Sequence, residues 1–404
     1  MSDLKIGVIG LGKLGLPLAV TLANTKFSVV GFDQNLQLVH DLNTRVYQSV
    51  EPGVNESLEN RSISEVLTFT SSLSELEECT LFYIIVPTPS EKLGKFSSKH
   101  VENVVATLAT LFRESPVDRC VVIVSTLMPG ETRRISKKYL PETRIKLLYS
   151  PEFIALGTVI RNLTNPDSIL VGCENPDDAQ THIQVQRRIT GGAPESILNW
   201  EEAEIVKLLV NCYVTMKISF ANFVGEVADV MAQVNPIKVS EALGLDSRIG
   251  ALYLRPGLGF AGPCFPRDNF ALLSWAKDVG LQANLSAATV AINDRQPQMA
   301  ANRILRVLAE DQVLTLIGVV YKPYTEVTDH SQTLSIARVL KARGVEVEIY
   351  DPFLSDNDRE NLGKTFRVLN ELEESTSLKT VIVSREFLPI LNLQDIQFEN
   401  VILM

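Results

Sequence analysis

Six residues near the start, Gly10-Leu11-Gly12-Lys13-Leu14-Gly15, leave few folds open to this chain. They follow Lys5 to Ile9, an apolar run that reads as a short buried strand, and they open Leu16 to Asn24, which reads as a helix. The next run, Ser28 to Phe32, reads as a second strand and ends at Asp33. Strand, glycine turn, helix and strand make a βαβ unit. In such a turn Gly10 permits the tight reversal, Gly12 lets backbone approach a pyrophosphate, and Gly15 lets helix and strand pack closely. The helix N-terminus then offers N–H groups and partial positive charge to phosphates. Asp33 is placed to accept hydrogen bonds from ribose hydroxyls and would repel a 2′-phosphate, so the expected cofactor is NAD rather than NADP.

Further buried-strand runs follow at Leu81 to Val86, Cys120 to Ser125, Lys146 to Tyr149 and Ser168 to Gly172, most of them separated by helical segments. That alternation predicts a parallel, doubly wound sheet. Trp200 to Val234 contains no proline, and Ile205, Leu208, Leu209, Cys212, Met216, Phe220 and Phe223 recur at helical spacing. The pattern predicts one long helix, a spine and a dimer surface. Pro236 to Leu243 and Asn269 to Val279 read as further helices. Then Val313 to Tyr321 and Val345 to Tyr350 read as strands around a helix capped by Ser331 and ended by Gly344, with later strands at Thr380 to Val383 and Val401 to Met404. The expected fold is therefore α/β: two Rossmann-like doubly wound domains joined by a central helical region with one long helix. The expected domains are 1–190 for NAD, 191–298 for dimerisation and catalysis, and 299–404, which lacks the glycine turn and binds something other than a second dinucleotide.

A length of 404 residues allows two or three such domains, and the formal charge of −10 disfavours nucleic acid or an anionic membrane as partner. The N-terminus runs straight into a strand, with no expected signal peptide, and no apolar run is expected to approach a membrane span. The five cysteines are scattered, without metal-ligand spacing, so no metal is expected and a reducing cytoplasm fits best. One cysteine differs in context. In Gly259-Phe260-Ala261-Gly262-Pro263-Cys264-Phe265-Pro266-Arg267-Asp268, Cys264 stands between a glycine-rich approach and a helix start. A nicotinamide site together with a nucleophilic thiol points to oxidation of an alcohol past the aldehyde, through a thioester, to an acid.

The whole chain resembles the UDP-glucose/GDP-mannose dehydrogenase family, the nucleotide-sugar 6-dehydrogenases. The resemblance is carried in order by Gly10 to Gly15, Pro87-Thr88-Pro89, Ser125-Thr126, Ser150-Pro151-Glu152-Phe153, Ala203-Glu204 through Lys207 and Asn211, Lys217-Ile218-Ser219-Phe220, Arg248-Ile249-Gly250, Gly259 to Asp268, and Tyr321-Lys322-Pro323. It implies Cys264 as nucleophile and Lys207 with Asn211 as stabilisers of a developing alkoxide. It also implies Asp268 as the carboxylate working with the lysine, and Glu152 and Thr126 as holders of the hydrolytic water. The implied cofactor residues are Gly10, Gly12, Lys13, Leu14, Gly15, Asp33, Pro87, Thr88, Thr126 and Arg267. The implied substrate residues are Phe153, Lys207, Asn211, Arg248, Tyr253, Gly259, Phe260 and Lys322, with Arg248 reaching the neighbouring subunit of a homodimer. The implied reaction takes two hydrides from C6 of a nucleotide sugar, through a thiohemiacetal and a thioester on Cys264, to the uronic acid, with two NADH released. A cytoplasmic role in polysaccharide precursor supply is the corresponding expectation.

Three positions depart from the family pattern. Leu156 stands where many members have glutamate, Asp329 falls at a family arginine, and a late Asp-Gly-Arg segment is expected to be missing past Met404. UDP-glucose, UDP-N-acetyl-hexosamines and GDP-mannose all stay open as substrates. A two-electron β-hydroxyacid-type dehydrogenase also uses a helical Lys-x-x-x-Asn pair, but it does not need Cys264. A non-catalytic NAD or nucleotide-sugar binder would tolerate Asp329 and the short C-terminus.

Overall fold

The computed structural model describes residues 4–92, 94–308, 313–372, 380–384, 387–389 and 400–403. The chain divides into two compact units, residues 1–208 and 209–404.

The first unit is built on eight strands: β1 (Lys5–Ile9), β2 (Ser28–Phe32), β3 (Leu67–Thr70), β4 (Leu81–Ile84), β5 (Arg119–Ile123), β6 (Ile145–Tyr149), β7 (Ile169–Gly172) and β8 (Glu195–Leu198). Their order is β3-β2-β1-β4-β5-β6-β7-β8. Alternate residues feed two cores. Ile6, Val8, Leu81 and Tyr83 pack on one face, and Ile9, Phe82, Ile84 and Val121 on the other. Strands dry on both faces read as continuous apolar runs, which is why β1, β4 and β5 were legible. Each fully buried Leu or Ile contributes roughly 1.5–3 kcal/mol. The sheet departs from the all-parallel expectation at one seam: β6 meets β7 antiparallel, through Tyr149 and Gly172. The link between them holds only the six-residue helix Val159–Thr164 and the loop before it, and makes no full crossover.

The second unit carries β9 (Leu314–Ile317), β10 (Val347–Tyr350), β11 (Arg367–Leu369), β12 (Thr380–Val383) and β13 (Asn400–Leu403), all parallel, in the order β11-β10-β9-β12-β13. This repeats the arrangement around β1. In both sheets the order reverses beside the first strand, and ligands bind at the carboxyl ends of strands at that point.

The expected long helix is Trp200–Val230, 31 residues. By length and composition it could cross a bilayer, with an 18-residue window at mean hydropathy 1.2, which corrects the expectation that no apolar run approaches that length. Its buried polar residues are nevertheless bonded to protein groups: Glu204 to Thr132, Ser219 to the Thr289 carbonyl and Asn222 to the Leu258 carbonyl. That is the pattern of a core helix.

Several elements carry no clear local signal in the sequence, three of them instructive. β3 and β8 are short and partly exposed. The 24-residue helix Asn284–Val307 contains Pro297, which reads as a breaker but here stays inside the helix. The cysteine helix also starts earlier than expected, at Phe265 rather than Asn269, because Pro266 fits a helical first turn.

Candidate active site

The glycine turn follows from contacts a side chain would forbid. Gly10 has φ +95°, and a Cβ there would lie 2.2 Å from the Ile85 carbonyl oxygen. A Cβ on Gly15 would lie 1.7 Å from the Gly10 carbonyl oxygen, whereas one on Gly12 would meet nothing within 4 Å. Two glycines are thus needed by the protein, and the third leaves open backbone. Leu14 supplies no side-chain cap to the helix Gly15–Asn24, whose partial positive N-terminal end suits an anion. Asp33, half-buried, accepts from the Leu11 N–H at 2.8 Å and the Asn35 N–H at 2.9 Å, fastening the turn from the end of β2. A carboxylate has further lone pairs, so ribose hydroxyls remain within its capacity. These residues fit NAD.

At the end of β4, exposed Pro87 and buried Thr88 are set by Ser125, whose Oγ accepts from the Val86 N–H at 2.9 Å and donates to the Val86 carbonyl at 2.7 Å. Half-buried Thr126 follows Ser125. Its loop is anchored further on by fully buried Glu204, which accepts from the Gly130 N–H at 2.6 Å, the Thr132 N–H at 2.8 Å and the Thr132 hydroxyl at 2.6 Å.

Lys207, buried, lies one turn beyond Glu204. Its ammonium donates to the Glu152 carbonyl oxygen at 2.7 Å and sits 4.6 Å from the centre of the Phe153 ring. Burial pushes the Glu152 carboxyl up to about 7, against the opposing pull of the Lys207 charge and a hydrogen bond from Gln186. A directed chain supports this segment from behind. Ser150 Oγ donates to the Leu170 carbonyl and so accepts from His182 Nε2, which leaves Nδ1 to accept from the Tyr83 hydroxyl. Burial holds His182 down to about 3, so the ring stays neutral. Buried Glu51 fixes the following loop through the Gly157 and Val159 N–H groups, at 2.7 and 2.6 Å. Leu156 packs against the adjoining apolar core.

In the second unit Cys264 occupies the N-cap position of the helix Phe265–Asp278 and is exposed, while the other four cysteines are buried. Asp268 is buried in the first turn, where Asn211 Nδ2 donates to it at 2.5 Å. Arg267 is pushed down by burial and held up by the neighbouring Asp268 and Cys264, so a cation flanks the thiol. Gly259, Phe260 and Gly262 lie in the loop ahead of Cys264. Gly262 has φ +81°, and a Cβ there would lie 2.7 Å from the Tyr321 ring, which places the residue before Lys322 against this loop. At the Asp329 departure the backbone serves the loop: its carbonyl accepts from the Gly262 N–H at 3.0 Å.

Asp351 repeats the position of Asp33 at the end of β10 but not its use. It is fully buried and accepts from the N–H groups of Val319, Val320 and Phe353 at 2.7–2.8 Å. Its capacity is largely spent on the loop that leads to Lys322, leaving little for a ribose. Arg248 is exposed and paired with Asp246 at 2.6 Å, on a loop tied to Lys217 through the Ile249 and Gly250 carbonyls. Tyr253 is exposed with φ +61°.

Three profiles of one family match in sequence order: the NAD binding domain over residues 4–190, the central domain over 201–295 and the UDP binding domain over 315–389. The chain belongs to the UDP-glucose/GDP-mannose dehydrogenase family. It is similar to the UDP-glucose 6-dehydrogenase AglM of Haloferax volcanii, 28% identical over 372 residues, covering 88% of this chain and 85% of that one. Among solved structures it is similar to a UDP-glucose dehydrogenase from Pyrobaculum islandicum, at 30% identity and TM-score 0.84, covering 94% of this chain and 89% of that one. It shares its fold with a UDP-D-ManNAc dehydrogenase from Pyrococcus horikoshii, at 24% identity and TM-score 0.80, covering 99% and 95%. The chain is an NAD-dependent nucleotide-sugar dehydrogenase.

Replacing Asp33 by alanine is expected to raise the Kd for NAD about 10–100-fold, since it removes charge-assisted hydrogen bonds and unfastens the turn. Titration calorimetry checks this; unchanged affinity would remove the ribose role.

Proposed function

We propose that the chain oxidises C6 of a UDP-hexose, UDP-glucose being the first candidate, to the uronic acid through covalent bonding to Cys264. The observation that carries the proposal is an exposed thiol at a helix N-cap, one turn before a buried Asp268 held by Asn211. Bound NAD supplies the hydride acceptor, once for each of two oxidations. Gly10, Gly12, Lys13, Leu14, Gly15, Asp33, Pro87, Thr88 and Arg267 are assigned to hold it. Lys207 and Asn211 stabilise the oxyanion that develops as the alcohol, and later the thiohemiacetal, is oxidised. Asp268 orients Asn211 and accepts the released proton. The Cys264 sulfur bonds to the aldehyde carbon, and the second oxidation leaves a thioester. Glu152, with Thr126, takes a proton from water as it attacks that carbonyl. The C–S bond then breaks, freeing the acid and regenerating the thiol.

Residues 1–190 are assigned to NAD, 191–298 to the helical core and 299–404 to the nucleotide, with Phe153, Tyr253, Gly259, Phe260 and Lys322 lining the sugar site. We place the enzyme in the cytoplasm, in polysaccharide precursor supply. Exposed Leu209, Tyr213, Phe220 and Phe223 form an apolar stripe that supports a homodimer in which Arg248 reaches the partner's site. Arg248→Ala is expected to raise KM for the sugar about 10-fold or more without changing the sedimentation of the dimer. A parental KM would remove the cross-subunit role.

Glu152 must be ionised to act as base. With its carboxyl at about 7, acid release is expected to fall as pH drops through 7, giving the rate profile an acidic limb there. The stability sign is opposite. A carboxyl raised by burial costs nothing below its ordinary value of 4.5; stability is lost as pH rises from there to about 7, because the unfolded chain gives up the proton first, and the loss is constant above 7. A profile flat from pH 6 to 8 would take the water-activating role from Glu152. The reaction class is tested by offering UDP- and GDP-sugars with NAD and counting NADH per product identified by mass. Two per acid supports the proposal, and one per ketone or aldehyde supports the two-electron alternative.

A further inference from the structure

We infer that Asn293, helped by Asn222 and Gln332, is a positioning residue that sets where the Cys264 loop lies; the inference rests on the proposed role of Cys264 as nucleophile. Among the described residues the loop from Gly257 to Gly262 pairs with no strand, yet its backbone is gripped at two points by side-chain carboxamides. Asn222 accepts from the Gly257 N–H at 2.9 Å and donates to the Leu258 carbonyl at 3.2 Å. Asn293 accepts from the Phe260 N–H at 2.7 Å and donates to the Phe260 carbonyl at 3.2 Å, where Gln332 adds a second donor at 3.3 Å. Each asparagine does for the loop what a neighbouring strand does for a sheet.

All three carboxamides are buried, at 2%, 7% and 7% exposure for Asn222, Asn293 and Gln332. Asparagine is a poor residue for a helix interior, so two of them buried in long helices call for a reason. The grip also explains Gly259. A Cβ there would lie 2.3 Å from Asn293 Oδ1 and 2.8 Å from Gln332 Oε1, so the carboxamides close on the backbone only because glycine is present. A cavity of about 140 Å³ bordered by Phe260, Asn293, His330 and Gln332 adjoins the loop. Without the grip the loop has space to sag into, and Cys264 follows it four residues later.

Two substitutions attack the same contact from opposite sides: Asn293→Leu removes both hydrogen bonds, and Gly259→Ala pushes Asn293 away while keeping every carboxamide. Both are expected to lower kcat about 10–100-fold, because a displacement near 1 Å is enough for such a loss. Both should also change the iodoacetamide labelling rate of Cys264 several-fold and leave the Kd for NAD within about 2-fold. Parental kcat, unchanged labelling, or an equal loss of NAD affinity in both variants would overturn the inference. Cys264→Ser run alongside separates the two claims. If it still makes acid, the nucleophile assignment fails; if it is inactive while both loop variants match the parent, only the positioning role fails.

Discussion

Cys264→Ser is expected to cut acid formation by more than about 10³-fold while NAD binding stays at the parental level. A serine hydroxyl keeps the shape of the loop but has no accessible anion near neutral pH, so the step from aldehyde to covalent intermediate is lost. No other thiol can stand in. Burial pushes Cys79 up to about 11 and both Cys120 and Cys212 up to about 12, and it raises Cys173 as well. Thiolate is the reactive form, so these four are protonated and shielded at working pH. Iodoacetamide should therefore modify one cysteine per folded chain and inactivate in proportion, with NAD binding measured in parallel. Acid formation by the serine variant at the parental rate would exclude the covalent route.

Lys207→Ala is expected to lower kcat about 10²–10³-fold with KM for the sugar changed by less than about 3-fold. In the proposed mechanism the lysine charge meets the oxygen only as negative charge develops there, and such an interaction is realised in the transition state. Its second effect comes through Glu152. The Lys207 charge opposes the upward push of burial on that carboxyl, so its loss should move the acidic limb above 7. Rate profiles of parent and variant check both effects together. A loss confined to KM, with kcat and the limb unchanged, would make Lys207 a recognition residue.

The glycine turn, Asp33, the strands around them and the long helix were legible because each rests on local pattern: apolar runs, helical spacing and φ-permissive glycines. What was hidden depends on residues far apart in sequence. Glu204 is an acidic residue on a helix until the Gly130 and Thr132 N–H groups arrive from another element. Asn293 is a helix breaker until the Phe260 backbone is beside it. Pro297 concealed a 24-residue helix because a local breaking signal was outweighed by tertiary packing, and the residue itself is buried. The antiparallel seam at β6 and β7 had no local signal either, since strand direction is decided by the connection. Nothing local in the sequence sets Asp351 apart from any aspartate that follows a strand. The three N–H groups it accepts show why a sheet with the same order as the first lacks the same open carboxylate.

Trapping the intermediate tests the covalent claim most directly. Glu152→Gln enzyme, incubated with NAD and the nucleotide sugar it oxidises, is quenched in acid and digested, and the Cys264 peptide is weighed. The expected result is a peptide heavier by the acyl group of the oxidised sugar nucleotide, formed at the rate of the NADH burst. An unmodified Cys264 peptide accompanying full formation of NADH would contradict it.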